Sequence, residues 1–175
     1  MNRSDGVAVF EVVSRPPSLG YVRRYPTKTA LRLTREMQST LDRINKIVQT
    51  TNATDLVVQS YARDTLLLTG SFDHCYYHEF EVHFRGVAYI GLPIYGLDSP
   101  TFSIAGDPIR HLYSHLELDA DETLFEIHSD PDFRGGHRYY VAAREIELVE
   151  GMVYYYVRDE LKPGERIADW VQNGG

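Results

Sequence analysis

The apolar residues of this chain follow two different periods, first that of a helix and then that of strands. Between Lys28 and Thr50 they recur every three or four residues, which places them on one face of an α-helix. After residue 55 the period falls to two, most clearly in Tyr76–Arg85, where Phe80, Val82 and Phe84 alternate with charged residues. The pattern therefore predicts one long helix followed by a strand-rich region.

The region of period two contains about eight stretches that predict strands. Turn residues such as Arg63-Asp64 and Glu150-Gly151 separate several of them, and short helices are expected after Asp107-Pro108 and around Trp170. The alternation slips inside Arg138–Val149, which predicts a β-bulge near Ala143 and Arg144. The predicted strands, with one more before the helix, are Val7–Val13, Leu56–Tyr61, Thr65–Thr69, Tyr76–Arg85, Val87–Leu92, Thr101–Ala105, Thr123–His128, Arg138–Val149 and Met152–Val157.

These elements predict an α+β fold. We expect one curved antiparallel sheet of about seven to nine strands, packed on the long N-terminal helix, with two short helices. No repeat, low-complexity segment or long linker divides the chain, so residues 1–175 are expected to form a single domain. Residues 1–6 and 172–175 are expected to fray at its ends.

Charge is divided unevenly along the chain. Residues 1–52 carry a net charge of +5 and residues 53–175 one of −12, which gives −7 in total. An acidic surface does not favour binding to nucleic acid, and no nucleic-acid motif accompanies the basic residues, which are Arg23, Arg24, Lys28, Arg32 and Arg35.

No apolar run approaches the ~18 residues of a membrane span, and the start does not resemble a signal peptide. With a single cysteine, these features predict a cytoplasmic protein that does not enter membranes.

Standard catalytic motifs are absent from the sequence. It lacks the phosphate-binding G-x-x-x-x-G-K-[ST] and G-x-G-x-x-G loops, the G-x-S-x-G elbow and the H-E-x-x-H zinc motif. His74 and His78 would lie about 13 Å apart along an extended strand, too far to share one metal ion unless His74 lies in a turn. His111 and His115 lack the glutamate that a zinc protease needs between them. No cofactor is therefore expected, and catalysis is not favoured.

Three strand-like stretches carry consecutive tyrosines, namely Tyr76-Tyr77, Tyr139-Tyr140 and Tyr154–Tyr156. Because successive strand residues point to opposite faces, each run places a phenol on both sides of a sheet. The alternation assigns Tyr76 to the core and Tyr77 to the outer face, and it predicts cover on both faces of the last run. The exposed platform is therefore expected to hold Tyr77 and one tyrosine of the middle run.

The stretch from His128 to His137 is the most suggestive loop. If it closes a hairpin, the two histidines come together with Asp130 and Asp132 above them, and the four could hold a divalent metal or share acid–base work. Asp-Pro-Asp and Gly-Gly are equally typical of a plain turn. A turn without a site, a partner-binding loop and a metal or catalytic site all remain open.

The hypothesis that the sequence favours is a non-catalytic protein that binds another protein through an aromatic and acidic sheet face and this loop. Inhibitors and toxin-neutralising immunity proteins are examples of that class. The expected contact residues are Tyr77, Asp130, Asp132, Phe133, Arg134, Tyr139 and Tyr140. The alternatives are the metal-dependent enzyme and a small-ligand pocket lined by some of Tyr76, His78, Tyr89, Tyr139 and Tyr154. A homodimer through a sheet edge is compatible with the pattern, although no residue requires it.

Overall fold

The computed structural model describes residues 28–94, 96–130 and 136–172. Within them the chain is a mixture of helices and mainly antiparallel strands. The helices are α1 (Lys28–Thr50), α2 (Asp107–Leu112) and α3 (Asp169–Gln172), and a 3₁₀ turn at Ser114–Leu116 follows α2. The strands are β1 (Asp55–Ala62), β2 (Thr65–Ser71), β3 (Tyr77–Arg85), β4 (Tyr89–Gly91), β5 (Leu97–Asp98), β6 (Thr101–Ile104), β7 (Thr123–Ser129), β8 (His137–Ala143), β9 (Glu145–Tyr154) and β10 (Arg166–Ile167).

The strands form two sheets, so the single curved sheet expected from the sequence is not confirmed. Six strands make the larger sheet in the order β10-β9-β3-β2-β1-β5, in which only the β9–β10 pair is parallel. The smaller sheet is antiparallel and has the order β4-β8-β7-β6. The hairpin predicted at Arg63-Asp64 is confirmed as the β1–β2 connection.

The predicted bulge near Ala143 and Arg144 is instead a passage from one sheet to the other. β8 ends at Ala143 in the smaller sheet, and β9 begins one residue after Arg144 in the larger sheet. The Arg144 backbone N–H donates to the Arg85 carbonyl at 3.0 Å, and its guanidinium pairs with Asp119 and Asp121. The apolar phase slips here because the side chains that face the core change when the chain changes sheet.

The main core lies between the two sheets and α1. Phe84 of the larger sheet meets Phe125 of the smaller one, with ring centroids 5.3 Å apart. Asn45 of α1 ties the helix to β6, because its amide accepts from the Phe102 backbone N–H at 2.7 Å and donates to the Phe102 carbonyl at 2.9 Å. Burying each large apolar side chain here stabilises the fold by about 1.5–3 kcal/mol. The fully buried side chains include Leu41, Ile44, Leu66, Leu68, Phe80, Val82 and Ile127.

Two other local predictions are wrong. β9 continues through the turn predicted at Glu150-Gly151, where Gly151 adopts a φ of +148° and lies against the carbonyl of Gly164. Tyr76 does not enter the core, because β3 begins one residue later and Tyr76 belongs to the preceding turn.

Some predictions lie outside the described residues. The Val7–Val13 strand and most of the basic N-terminal residues belong to this group. Among the helices that are described, none is long and apolar enough to cross a membrane.

Candidate functional site

The residues predicted to form the binding surface are divided between the two sheets. Tyr77 lies in β3 of the larger sheet, whereas Tyr139 and Tyr140 lie in β8 of the smaller one. The Tyr139 ring packs against the main core, and Tyr140 is only 8% exposed. Asp130 follows β7, where its backbone N–H donates to the Asp98 carbonyl at 2.9 Å. The other three, Asp132, Phe133 and Arg134, lie outside the described residues.

The two histidines of the loop project from opposite faces of the smaller sheet. In the β7–β8 ladder His128 is opposite Arg138, and His137 is opposite Ser129, so His128 and His137 are in opposite phases of the ladder. Within the parts of the chain that the structure describes, no three His, Cys, Asp or Glu side chains are placed to hold a metal ion. The hairpin therefore does not bring these two imidazoles to a shared metal position.

The other histidine cluster near β3 also separates. His74 does lie in a turn, as a shared metal site would have required, but its Nε2 atom bonds to the Asp55 carbonyl oxygen at 3.0 Å. His78 instead forms hydrogen bonds with Glu81 and Tyr155. The five side chains proposed to line a small-ligand pocket are divided as well: Tyr89 and Tyr139 belong to the smaller sheet, and Tyr76, His78 and Tyr154 to the end of the larger one.

This end of the larger sheet carries an exposed apolar surface that the sequence analysis did not predict. Eleven large apolar side chains of the described residues are exposed, and six of them belong to two neighbouring segments. One segment is the β2–β3 turn, and the other is the C-terminal segment, residues 155–172. These six side chains, the aromatic patch, are Phe72, Tyr76, Tyr156, Val157, Leu161 and Trp170, each between 43% and 72% exposed.

Strand pairing brings the two segments of the aromatic patch together. Tyr77 and Tyr154 are in register between β3 and β9, and the next residues continue the ladder with a bond of 2.8 Å from the Tyr155 backbone N–H to the Tyr76 carbonyl. The half-buried Tyr155 ring lies 5.3 Å from the Trp170 ring of α3. The start of β3, the end of β9 and α3 therefore lie next to one another at this end of the larger sheet.

A buried carboxylate, Glu81, attaches the C-terminal segment to the sheet. Its Oε1 atom accepts hydrogen bonds from His78 Nε2 at 2.9 Å and from the Arg166 guanidinium, and its Oε2 atom accepts from His83 Nε2 at 2.9 Å. A regular strand would direct His78 and Glu81 to opposite faces, but the β3–β9 ladder shifts register between His78 and Phe80. We call the group formed by Glu81, its partners His78, His83 and Arg166, and Tyr155 the Glu81 cluster.

The protons of the Glu81 cluster follow from its geometry. Hydrogen bonds from His78 and His83, followed by the charge of Arg166, hold the pKa of Glu81 well below its ordinary value, although burial opposes them. An ionised carboxylate only accepts hydrogen bonds, so the Nε2 atoms of both histidines carry hydrogens. The Nδ1 atom of His78 shares a hydrogen bond of 2.8 Å with the Tyr155 hydroxyl.

The Glu81 cluster joins the C-terminal segment to β3, and its central residues are buried. The His78 and Glu81 side chains are 5% and 8% exposed, and their hydrogen bonds reach Tyr155 and Arg166 of the C-terminal segment. The sequence signal for it was weak, because His78, Glu81 and Arg166 become neighbours only after the register shift and the return of the C-terminal segment to β9.

Comparison of the chain with models of protein families, with curated proteins and with solved structures found no match. The aromatic patch and the Glu81 cluster that supports it are therefore interpreted from their own geometry.

Proposed function

We propose that this protein is a non-catalytic binding protein whose partner is another protein, and that the partner docks on the aromatic patch. The observation that carries the proposal is the concentration of Phe72, Tyr76, Tyr156 and Trp170 at one end of the larger sheet, all exposed by more than 40%. Exposed apolar side chains that gather in this way mark interaction sites, and tyrosine, tryptophan and phenylalanine are the usual anchors of protein interfaces.

The support under the patch favours the same function. Trp170 rests on Tyr155, and Tyr155 is bonded through His78 to the buried Glu81. Aromatic side chains on a fixed support lose little conformational entropy when a partner binds, so more of the contact energy appears as affinity. This is the expected arrangement for a surface that recognises a partner without changing it chemically.

The charge of the chain indicates what kind of protein would bind. The net charge is −7, and residues 72–81, which contribute two of the patch side chains, hold three carboxylates and neither lysine nor arginine. Electrostatic complementarity then favours a basic partner and increases the rate of association. An inhibitor or neutralising protein for a basic cytoplasmic partner is the function we propose.

Quantitative capture of the partner from the native cell tests this function. Tyr76→Ser and Trp170→Ala should each weaken capture about tenfold or more, because truncating an anchor residue costs 2 kcal/mol or more. Leu112→Ala is the matched control, since Leu112 is 68% exposed on α2, away from the patch. Equal capture by all of these variants would remove the patch from the binding surface.

Cys75 supplies an independent footprint without any substitution. It is the only cysteine of the chain, it is exposed, and it immediately precedes Tyr76. The captured partner should slow alkylation of Cys75 by iodoacetamide, and an unchanged rate in a saturated complex would contradict docking at this turn. Light scattering of the purified protein completes the test, because a dimer dispersed by Trp170→Ala would assign the patch to a second copy of the chain instead.

A further inference from the structure

A carboxylate near the aromatic patch has no counter-charge among the residues that the structure describes. Glu79 lies in β3 and is half-buried, yet its side chain makes no hydrogen bond or salt bridge with any residue that the structure describes. Burial raises the pKa of Glu79 above its ordinary value. A desolvated carboxylate without a partner is unfavourable, and a cation brought to it would recover that free energy.

Tyr77 is the tyrosine nearest to Glu79 along β3, and two further tyrosines lie beside Tyr77. Tyr77 precedes Glu79 by two residues, and Tyr77 is paired in register with Tyr154 of β9, so both tyrosine side chains occupy the same side of the sheet. Tyr156 extends this group, because its ring lies 5.5 Å from the Tyr154 ring. Burial raises the pKa of Tyr77, and the neighbouring carboxylates of Glu79 and Asp73 raise it further.

One of these rings, Tyr154, already lies against a guanidinium of the same chain. The Arg158 guanidinium carbon lies 4.2 Å from the centroid of the Tyr154 ring. This distance is within the range of a cation–π contact, in which the negative face of the ring attracts the cation. Arg158 makes no salt bridge with Glu79, so a cation is present at Tyr154 while the carboxylate beside Tyr77 has no charged partner in the described parts of the chain.

We infer that Tyr77, Glu79 and Tyr156 form a recognition site for an arginine side chain of the partner protein. The inference rests on the proposed function and specifies its chemistry. Glu79 would accept the N–H groups of the guanidinium, and the phenol rings would cover its planar face, as Tyr154 covers Arg158. Arginine fits this site better than lysine, because its guanidinium is planar, stacks on aromatic rings and is less strongly hydrated.

Titration with a short peptide tests the site without the unidentified partner. The probe is acetyl-Gly-Arg-Gly-amide, and the neutral comparison is the same peptide with citrulline, which keeps the shape of arginine but removes its charge. The arginine peptide should give saturable shifts of the Tyr77 and Tyr156 ring signals in NMR spectra, and the citrulline peptide should not. Equal shifts with both peptides, or none with either, would overturn the inference.

Two matched variants locate the effect. Glu79→Gln should weaken binding of the arginine peptide about fivefold, the equivalent of ~1 kcal/mol. Glu160→Gln, which removes an exposed carboxylate of the C-terminal segment, should leave it unchanged. Thermal unfolding separates recognition from a structural role. Glu79→Gln should keep or increase stability because it removes a half-buried charge with no partner among the described residues. A loss of stability would indicate that Glu79 supports the fold.

Failure of this inference can be distinguished from failure of the proposed function. If the arginine peptide does not bind while Tyr76→Ser and Trp170→Ala still weaken capture of the partner, the patch binds a protein by other contacts. If the peptide binds and Glu79→Gln weakens it, but neither patch variant affects capture, the arginine site exists and the partner docks elsewhere.

Discussion

Two tyrosine-rich regions of this molecule differ in whether the chain covers its own aromatic side chains. On the smaller sheet, Tyr89 and Tyr140 are each 8% exposed, and Tyr113, between α2 and the 3₁₀ turn, lies over them. The centroid of the Tyr113 ring is 4.7 Å from that of Tyr140 and 5.7 Å from that of Tyr89. At the end of the larger sheet, Tyr76 and Trp170 are more than half exposed.

The comparison shows that residue type alone does not assign a role to a tyrosine. Burial, and then the charge of Glu126 in the adjacent strand, raises the pKa of Tyr140, as expected for a phenol enclosed by protein. The enclosed tyrosines contribute to stability, whereas the exposed ones leave apolar surface for another molecule to cover. Substitutions should separate the two regions by what each change affects.

The largest expected effect is in the covered region. Tyr140→Ala should lower the free energy of unfolding by about 3 kcal/mol, because it leaves a cavity beneath Tyr113. Tyr76→Ala, in the exposed region, should change it by less than about 0.5 kcal/mol. Urea unfolding measures both values, and similar losses for the two variants would show that the regions do not differ in this way.

The next effect concerns the support of the aromatic patch. Glu81→Gln should destabilise the protein by about 2–3 kcal/mol, because it removes the charge that His83 and Arg166 share in a buried position. The control is Glu147→Gln, whose salt bridge with Arg85 is about half exposed and contributes less than about 1 kcal/mol. Equal unfolding free energies for the two variants would contradict the role given to Glu81.

The destabilisation caused by Glu81→Gln should depend on pH, because the pKa of Glu81 is lowered in the folded protein. The unfolded carboxyl, with its ordinary value near 4.5, takes up a proton before the folded one does. The stability that Glu81 contributes is therefore fully present above that pH and is lost as the pH falls below it. The difference in unfolding free energy between the native protein and Glu81→Gln should narrow below about pH 4.5, relative to its value near pH 7. A difference that widens in acid would reverse the sign and refute the assignment.

Substituting alanine for two glycines, one in each region, should cause a smaller loss of stability. Gly136, in the β7–β8 connection, has a φ of +74°, and a Cβ there would overlap Nε2 of His128. Gly164, in the C-terminal segment, has a φ of +86° with open space around it. Gly136→Ala should cost about 2 kcal/mol and Gly164→Ala about 1 kcal/mol, since only the first adds a steric overlap to the left-handed strain. Thermal unfolding checks that Gly136→Ala loses more stability than Gly164→Ala. Equal losses of stability would show that the overlap with His128 has no energetic effect.

The smallest expected effect tests the cation–π contact beside the aromatic patch. Arg158→Gln should lower the free energy of unfolding by about 0.5 kcal/mol, because the Tyr154 ring loses its cation. Arg110→Gln, an exposed change on α2, should have no measurable effect. Chemical denaturation with replicate curves resolves the difference, and a loss of more than about 1.5 kcal/mol would indicate that Arg158 has a larger structural role than this contact.

The sequence alone determined α1 and the buried face of β3. The spacing of Leu41, Ile44 and Val48 matches the buried face of α1, and the alternation of Phe80, Val82 and Phe84 matches the buried face of β3. Both predictions rest on periods of 3.6 and two residues, which the backbone geometry of helices and strands imposes on any sequence. The tyrosine runs indicated aromatic surface, but the exposed tyrosines of these runs, Tyr76 and Tyr156, lie just outside β3 and β9.

Only the tertiary structure decided how these elements combine. It placed the change of sheet at Arg144, where the sequence showed a slip of phase but not its cause. It covered Tyr140 with the segment around α2, left Tyr76 open, and brought Arg166 to Glu81 across 85 residues. The physical reason is that periodicity fixes the direction of a side chain, whereas its cover and its charge partner come from segments that are distant in sequence.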